Sequence, residues 1–156
     1  MTVDRTQAHI VVDATPAQIM DVVADLPAYP EWTAEIATGE ILSVHADNGR
    51  VRHGRLVMDT AVGSDDQVYL YTWDGDEAVR WSLVRSRMLT SLEGAYRLRA
   101  NADGTTQLTY ELAVEPRVRI PQVLRRTAEK VIINRSLAGL KARVEDNLRA
   151  PIHVAA

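Results

Sequence analysis

The chain of 156 residues contains no cysteine and no phenylalanine. The absence of cysteine excludes disulfides, thiolate metal sites and cysteine nucleophiles. The four histidines, at positions 9, 45, 53 and 153, lack the spacing of a metal site, so we expect no metal. No apolar run approaches the ~20 residues of a membrane span, and the N-terminal residues do not have the pattern of a signal peptide. We therefore expect a cytoplasmic protein without stable membrane insertion.

The remaining composition is that of an ordinary globular chain, with 46% hydrophobic and 25% charged residues. The length predicts a single domain over residues 1–156. Five tyrosines and three tryptophans supply all the aromatic surface, and each has a polar group that requires a partner when buried. The net charge is −3, yet residues 117–149 carry nine Arg/Lys against three Asp/Glu. Such a segment can bind nucleic acid or an anionic membrane; we favour the solvated face of an amphipathic helix.

The first elements follow from strand-forming and capping residues. Residues 6–12 are rich in β-branched side chains and predict a strand. Thr15, Pro16 and Gln18 then form the pattern of a capping box with proline at the first helical position. Because Pro27 and Pro30 interrupt that helix, the segment up to Trp32 is predicted to be a tight connection or a second short helix.

From residue 35 to 115 the apolar residues alternate with period two. This predicts strands near 35–45, 50–60, 66–73, 78–85, 89–100 and 105–115, separated by turn clusters at 47–49, 63–66, 74–76 and 101–104. The chain ends in a helix over about 121–149 and a tail over 150–156. The apolar face of this helix is predicted to comprise Leu124, Ala128, Val131, Ile132, Leu137, Leu140, Val144 and Leu148.

A long antiparallel sheet that curls around one helix can leave a cavity between them, lined by alternate strand positions. The predicted lining residues are Leu56, Met58, Tyr69, Tyr71, Trp73, Trp81, Leu83, Tyr96, Tyr110 and Leu112. A slip of one residue in the strand near 66–73 would instead place Val68 and Leu70 inside. Gly94, within a strand, predicts a bend or a close approach of another backbone segment.

Several segments together resemble a known superfamily. They are Tyr29–Trp32, Val57–Asp59, Tyr71–Trp73, Val79–Leu83, Glu93–Tyr96, Leu108–Leu112, Ile120–Pro121 and Ala128–Lys130. The chain resembles the START-like polyketide cyclase/dehydrase and lipid-transport superfamily (SRPBCC), in its actinobacterial branch. The resemblance implies the α+β helix-grip fold, in which a curved seven-stranded antiparallel sheet, with two short helices after the first strand, wraps around the C-terminal helix. It also implies that Trp32 lies at the mouth of the cavity. There Trp32 is predicted either to gate the cavity, together with the loops near Gly63 and Ser86–Met88, or to anchor the short helix to the sheet.

The function that this resemblance favours is binding, transport or sequestration of a small hydrophobic ligand such as a lipid, quinone or polyketide-like molecule. One alternative is a polyketide aromatase/cyclase or dehydratase acting in the same cavity. A second is a toxin-like protein associated with ribosomes or RNA. No catalytic dyad emerges: His53 and Arg55 face solvent unless the strand slips, in which case His53 becomes an acid–base candidate. We assign no catalytic residue and no cofactor, favour a binder over an enzyme, and expect no nucleic-acid partner and a monomer or homodimer.

Overall fold

A computed structural model describes residues 5–60 and 63–149. The predicted tail over 150–156 lies outside these residues. The elements, in chain order, are β1 (Thr6–Val12), α1 (Pro16–Ala24), a 3₁₀ helix (Leu26–Glu31), β2 (Ile36–Val44), β3 (Val51–Thr60), β4 (Gly63–Asp74), β5 (Ala78–Arg85), β6 (Leu89–Ala100), β7 (Thr106–Pro116) and α2 (Gln122–Arg149). Among the described helices, none is long and apolar enough to cross a bilayer.

The predicted capping box opens α1. The Thr15 hydroxyl accepts a hydrogen bond from the Gln18 amide at 3.2 Å, and the Gln18 side chain accepts one from the Thr15 amide at 2.9 Å. Two amides without a helical partner are thereby satisfied. The chain then enters the 3₁₀ helix, which the Tyr29 hydroxyl fastens to α1 by donating to the Val23 carbonyl.

The seven strands form one antiparallel sheet in the order β1-β7-β6-β5-β4-β3-β2. Strands β2 to β7 are a meander, and β1 adds to its far end by pairing with β7. Register shifts interrupt the pairing at five places in the described strands, including Val68/Tyr69 and Leu89/Ser91. Bulges of this kind increase strand twist, which lets a sheet of seven strands curve around α2. The expected curved sheet around a C-terminal helix is confirmed.

One predicted turn is wrong. The cluster at 63–66 belongs to β4, where Asp65 pairs with Met58 and Asp66 with Val57. The Arg55 guanidinium holds this end of the strand through two hydrogen bonds to the Asp66 carboxylate, at 2.7 and 2.8 Å. Turn-forming residue types are thus held in a strand by their cross-strand partners.

The buried face of α2 also differs from the prediction. It consists of Ile133, Leu137, Leu140 and Val144 together with Glu129, and it packs against β1, β7 and α1. The predicted positions Leu124, Ala128, Val131, Ile132 and Leu148 are exposed instead. The first turns of α2, up to Ala128, bury no apolar side chain.

Glu129 fastens this part of α2 to the sheet. Its carboxylate accepts hydrogen bonds from the Thr6 hydroxyl at 2.6 Å and from the Val114 amide at 2.8 Å. Among the described residues, the ladder between β1 and β7 begins at Thr6 and Leu112, two residues before Val114. Glu129 therefore ties α2 to both β1 and β7.

Candidate functional site

A cavity of about 370 Å³ lies between the concave face of the sheet, the 3₁₀ helix and the middle of α2. Its lining includes all five tyrosines and two of the three tryptophans of the chain. The full lining is Val23, Tyr29, Trp32, Thr33, Glu35, Ile36, Leu56, Met58, Asp65, Gln67, Tyr69, Tyr71, Trp81, Met88, Leu89, Leu92, Tyr96, Tyr110, Leu112, Val114, Val131, Ile132, Arg135 and Ser136. The aromatic residues of this phenylalanine-free chain are therefore concentrated around one space.

The structure brings nine of the eleven predicted ligand-contacting residues to this cavity. They are Trp32, Leu56, Met58, Tyr69, Tyr71, Trp81, Tyr96, Tyr110 and Leu112. Trp73 and Leu83 do not line it, which corrects the predicted lining. The Trp73 indole N–H donates to the Val51 carbonyl at 2.8 Å, and the Arg50 guanidinium lies over its ring at 5.0 Å. Leu83, opposite Tyr69 in the sheet, packs against the buried core. Strand alternation predicts the face of a side chain but not whether the cavity extends that far along the strand.

Three aromatic rings form the floor of the cavity on β5, β6 and β7. Trp81 lies 5.0 Å from Tyr96 and 5.6 Å from Tyr110, and the two tyrosine rings are 4.7 Å apart. Gly94 is the cross-strand partner of Trp81, and a Cβ there would lie 2.3–2.5 Å from three indole atoms. The indole therefore lies flat against the backbone of β6, so the group that closely approaches this glycine is a side chain and not another backbone segment.

The tyrosine hydroxyls divide into two groups. Tyr29 donates to the Val23 carbonyl, and Tyr69 donates to the Gln67 side chain at 2.6 Å. Among the residues that the structure describes, the hydroxyls of Tyr71, Tyr96 and Tyr110 have no hydrogen-bond partner. Burial raises the pKa of all five tyrosines. All five hydroxyls therefore stay protonated at neutral pH, and those of Tyr71, Tyr96 and Tyr110 remain available as hydrogen-bond donors.

A chain of polar side chains, absent from the predicted lining, borders one end of the cavity. The Gln67 amide donates to Asp65 at 2.9 Å, and Ser86 donates to the same carboxylate oxygen at 2.6 Å. The Arg87 amide donates to the other oxygen at 3.0 Å. Burial raises the pKa of Asp65, but these hydrogen bonds together outweigh it and hold the pKa below its ordinary value. Asp65 is therefore an ionised, fully partnered carboxylate.

The spacing of these residues in the sequence could have predicted that they border the cavity. Asp65 and Gln67 precede Tyr69 by four and two residues, so period-two alternation places them on the same face. They were not predicted there because the residue types at 63–66 are typical of a turn.

The Ser86 side chain also orders the loop between β5 and β6. Its hydroxyl oxygen accepts hydrogen bonds from the Met88 amide at 3.1 Å and the Leu89 amide at 3.0 Å. Met88 and Leu89 line the cavity, so one of the two predicted gating loops lies beside it. The other, near Gly63, adjoins residues 61–62, which are outside the described part of the chain.

Trp32, which belongs to the cavity lining, has one polar atom without a partner. Its indole N–H is buried and, within residues 5–60 and 63–149, has no hydrogen-bond partner. The opposite edge of its six-membered ring lies 3.3 Å from where a Cβ on Gly139 of α2 would be, and its face meets Tyr29 at a centroid distance of 4.9 Å. An unpaired buried donor costs about 1–3 kcal/mol, so this N–H is suited to an acceptor supplied from outside the protein.

The cavity opens between α2 and the segment that precedes β2. Arg135 on α2 forms an ion pair with Glu35 across this opening at 2.8 Å, and hydrogen bonding from Arg135 lowers the pKa of Glu35. Val131 and Ile132, next to this pair, are 44% and 42% exposed although they also line the cavity. Together these residues form the mouth.

The histidine predicted as an acid–base candidate after a strand slip is not in the lining. His53 Nδ1 lies 2.9 Å from the Ser43 hydroxyl, on the neighbouring strand. Arg55, also outside the lining, is engaged with Asp66. Among the described residues, no three His, Asp or Glu side chains come together as a metal site would require.

A curved antiparallel sheet that encloses an apolar cavity against a long C-terminal helix defines a helix-grip protein. Residues 4–145 match the family described as polyketide cyclase/dehydrase and lipid transport, and the chain belongs to that family. No curated protein matches the sequence.

Solved structures agree with this assignment. A START superfamily protein from Mycobacterium smegmatis is 22% identical, with a TM-score of 0.85 over 92% of this chain and 98% of that one. The Zhui aromatase/cyclase from a Streptomyces species is 18% identical, with a TM-score of 0.76 over 94% and 96% of the two chains. The di-domain aromatase/cyclase BexL is 15% identical, with a TM-score of 0.74 over 95% of this chain and 48% of that one. At these identities the likeness establishes the START-like helix-grip fold.

Proposed function

We propose that this protein binds a small, neutral, largely apolar molecule in the cavity between the sheet and α2. The observation that carries the proposal is a space of about 370 Å³ walled by aromatic rings, with Trp32 in its lining. Ligand sites are typically apolar cavities of roughly 300–1,000 Å³ with a few polar groups that fix orientation. The cavity has this size and this composition.

The polar groups favour a ligand that carries hydrogen-bond acceptors. The Trp32 N–H and the hydroxyls of Tyr71, Tyr96 and Tyr110 are donors without a described protein partner. A ketone, quinone or ether oxygen placed against them would accept hydrogen bonds from donors that otherwise have no described protein partner. A plain hydrocarbon would accept none.

The charges favour a neutral ligand over a carboxylate such as a fatty acid. Asp65 is ionised at one end of the cavity, and an anion placed there would be repelled in surroundings of low dielectric. In the described lining the one basic side chain is Arg135, which is paired with Glu35 at the mouth. A lipid with a free carboxylate head is therefore a poorer fit than an uncharged molecule.

An aromatase/cyclase or dehydratase activity is a second candidate, favoured by the polar chain Asp65–Gln67–Tyr69. In that case the tyrosine hydroxyls would polarise a substrate carbonyl by hydrogen bonding, since their raised pKa values keep them protonated. Recovery of a cyclised or dehydrated product from a poly-β-carbonyl substrate would support this candidate. Recovery of unchanged substrate bound to the protein would support binding alone.

The test uses a pair of probes of the same shape. 9-Fluorenone carries one carbonyl, whereas fluorene has a methylene in its place. We expect fluorenone to quench tryptophan fluorescence saturably and to bind about tenfold more tightly than fluorene, the ratio that ~1.4 kcal/mol of hydrogen bonding produces. Native mass spectrometry of the freshly purified protein provides an independent measurement, since a retained natural ligand adds its mass to the intact chain.

Matched variants locate the interaction. Trp32→Phe should remove the preference for fluorenone, because phenylalanine keeps the ring and loses the N–H. Trp73→Phe is the control, since Trp73 lies outside the cavity and its N–H donates to Val51. The proposal is wrong if neither probe binds. Its account of the Trp32 donor is wrong if Trp32→Phe retains the preference.

A further inference from the structure

The surface around the mouth combines exposed aliphatic side chains with positive charge. We define the mouth patch as the exposed side chains of residues 117–135. Of the twelve large apolar side chains exposed in the described part of the chain, six lie in this patch. They are Val118, Ile120, Val123, Leu124, Val131 and Ile132, with exposures from 40% to 74%. Isolated exposed aliphatics are normal, but a cluster of this kind indicates an interaction surface.

The helical part of the patch has a defined orientation. Leu124, Ala128 and Val131 follow one another at four- and three-residue steps, so they share one side of α2. Glu129 and Ile133 are buried on another side, against the sheet. The exposed aliphatic stripe therefore faces away from the core, and it reaches the mouth at Val131 and Ile132.

The patch is also strongly basic within an acidic protein. Residues 117–135 contain six Arg/Lys and one acidic residue, the buried Glu129, whereas the whole chain has a net charge of −3. Arg125 forms an ion pair with Glu115, and Arg135 forms one with Glu35. Basic residues outnumber acidic ones in the patch even with these two glutamates included. The positive charge lies beside the aliphatic side chains.

We propose that the mouth patch docks on an anionic lipid bilayer, so that the cavity opens directly onto the membrane surface. Aliphatic side chains on a basic helix partition into the boundary between headgroups and acyl chains, and Lys and Arg are attracted to anionic headgroups. The protein lies on the bilayer and does not span it, in agreement with the lack of a membrane-crossing helix among its described residues.

Two other occupants fit the patch less well. A second copy of the chain in a two-fold dimer would place one basic patch against the other, which is electrostatically unfavourable. A single-stranded nucleic acid would find no stacking platform, because residues 117–135 contain no aromatic side chain. A bilayer satisfies the aliphatic and the basic residues at once.

Docking in this orientation lets apolar molecules pass from the bilayer into the cavity. Val131 and Ile132 belong both to the patch and to the cavity lining. A ligand dissolved in the bilayer could enter between them without crossing bulk water, where its apolar surface would be unfavourable. The Arg135–Glu35 ion pair stands at this entrance.

The experiment is flotation of the full chain with vesicles of phosphatidylcholine alone or of phosphatidylcholine and phosphatidylglycerol in a two-to-one ratio. We expect binding to the anionic vesicles, at least about tenfold weaker binding to the neutral ones, and a loss of binding in high salt. Val123→Gln combined with Leu124→Gln should weaken anionic-vesicle binding by about tenfold or more, because two aliphatic side chains no longer enter the interface. Neither residue lines the cavity.

Leu42→Gln combined with Val84→Gln is the matched control, because these side chains are 47% and 58% exposed on β2 and β5. It should float like the wild type. The proposal is overturned if the wild type does not bind anionic vesicles, or if both double variants lose binding equally. It is also overturned if the patch variant instead abolishes a dimer or binding to RNA or an acidic protein. Fluorenone binding by the patch variant should equal that of the wild type, which separates this proposal from the proposed ligand site.

Discussion

Replacing Gly94 by alanine tests how the aromatic floor is built. The new Cβ would lie 2.3–2.5 Å from three atoms of the Trp81 indole, whereas carbon atoms in contact stand about 3.5–4.0 Å apart. The indole must therefore move by more than about 1 Å. Tyr96 and Tyr110 stand at its sides, 5.0 and 5.6 Å away by ring centroids, so the open direction is the cavity.

The expected change in the free energy of unfolding combines two destabilising effects and one stabilising effect. Overpacking a filled site costs about 1–3 kcal/mol, and weakening an aromatic pair costs about 0.5–1.5 kcal/mol. The lower backbone entropy of the unfolded alanine chain offsets about 0.4–1 kcal/mol of this. We expect a net loss of about 1–2.5 kcal/mol in the free energy of unfolding, which lowers the urea midpoint by roughly 0.5–1 M. Fluorenone affinity should fall by about tenfold or more, because the displaced indole occupies its space.

The assay is urea unfolding followed by circular dichroism, with fluorenone titration of the folded variant. Adding Trp81→Leu to Gly94→Ala provides the control. If the indole is what resists the methyl group, the double variant should lose less stability than the sum of the two single variants. An unchanged midpoint together with unchanged fluorenone binding would refute the packing of Trp81 against Gly94.

Two further predictions concern buried carboxylates. Glu129→Ala leaves the Thr6 hydroxyl and the Val114 amide without their acceptor, so urea unfolding should show a loss of about 2–3 kcal/mol. Asp146→Ala, at an exposed position of the same helix, should change stability by less than about 0.5 kcal/mol, and equal losses would contradict the proposed tie. Asp65→Asn should lose about 1–2 kcal/mol at pH 7 by weakening hydrogen bonds to an ionised acceptor. Because folding lowers the pKa of Asp65, its contribution is present above the unfolded value of about 3.9 and disappears as the pH falls through the folded pKa. The difference in urea midpoint between wild type and variant should therefore be smaller at pH 3 than at pH 7. An equal difference at both pH values would contradict an ionised Asp65.

The order of elements was predictable because it depends on local pattern. The capping box at Thr15 and the proline at position 121 mark helix starts within one residue of where the structure has them. Period-two alternation located six strands of the meander, since a half-buried strand must alternate to bury one face. The turn at 63–66 was mispredicted because its residue types favour turns, while its ladder to β3 depends on residues distant in sequence.

The sequence predicted which face of each strand points toward the cavity, but not how far along the strand the cavity extends. Tyr69, Tyr71 and Trp73 share one parity on β4, yet the first two line the cavity and Trp73 lies beyond its end. The helix differs, because Leu124 and Leu137 are thirteen residues apart and lie on opposite sides of α2, of which only the Leu137 side is buried. In the sheet, burial depends on where the partner element ends, and no local pattern contains that distance.

The amino-acid sequence by itself predicted the helix-grip fold and a set of aromatic residues that all carry a polar group. The tertiary structure alone decided that Tyr29 joins the four predicted tyrosines around one space, that the Trp32 N–H is left unpaired, and that Asp65 is fully partnered. The physical reason is that alternation sets the direction of each side chain, whereas a cavity exists only where the curvature of the sheet and the height of α2 leave volume unfilled.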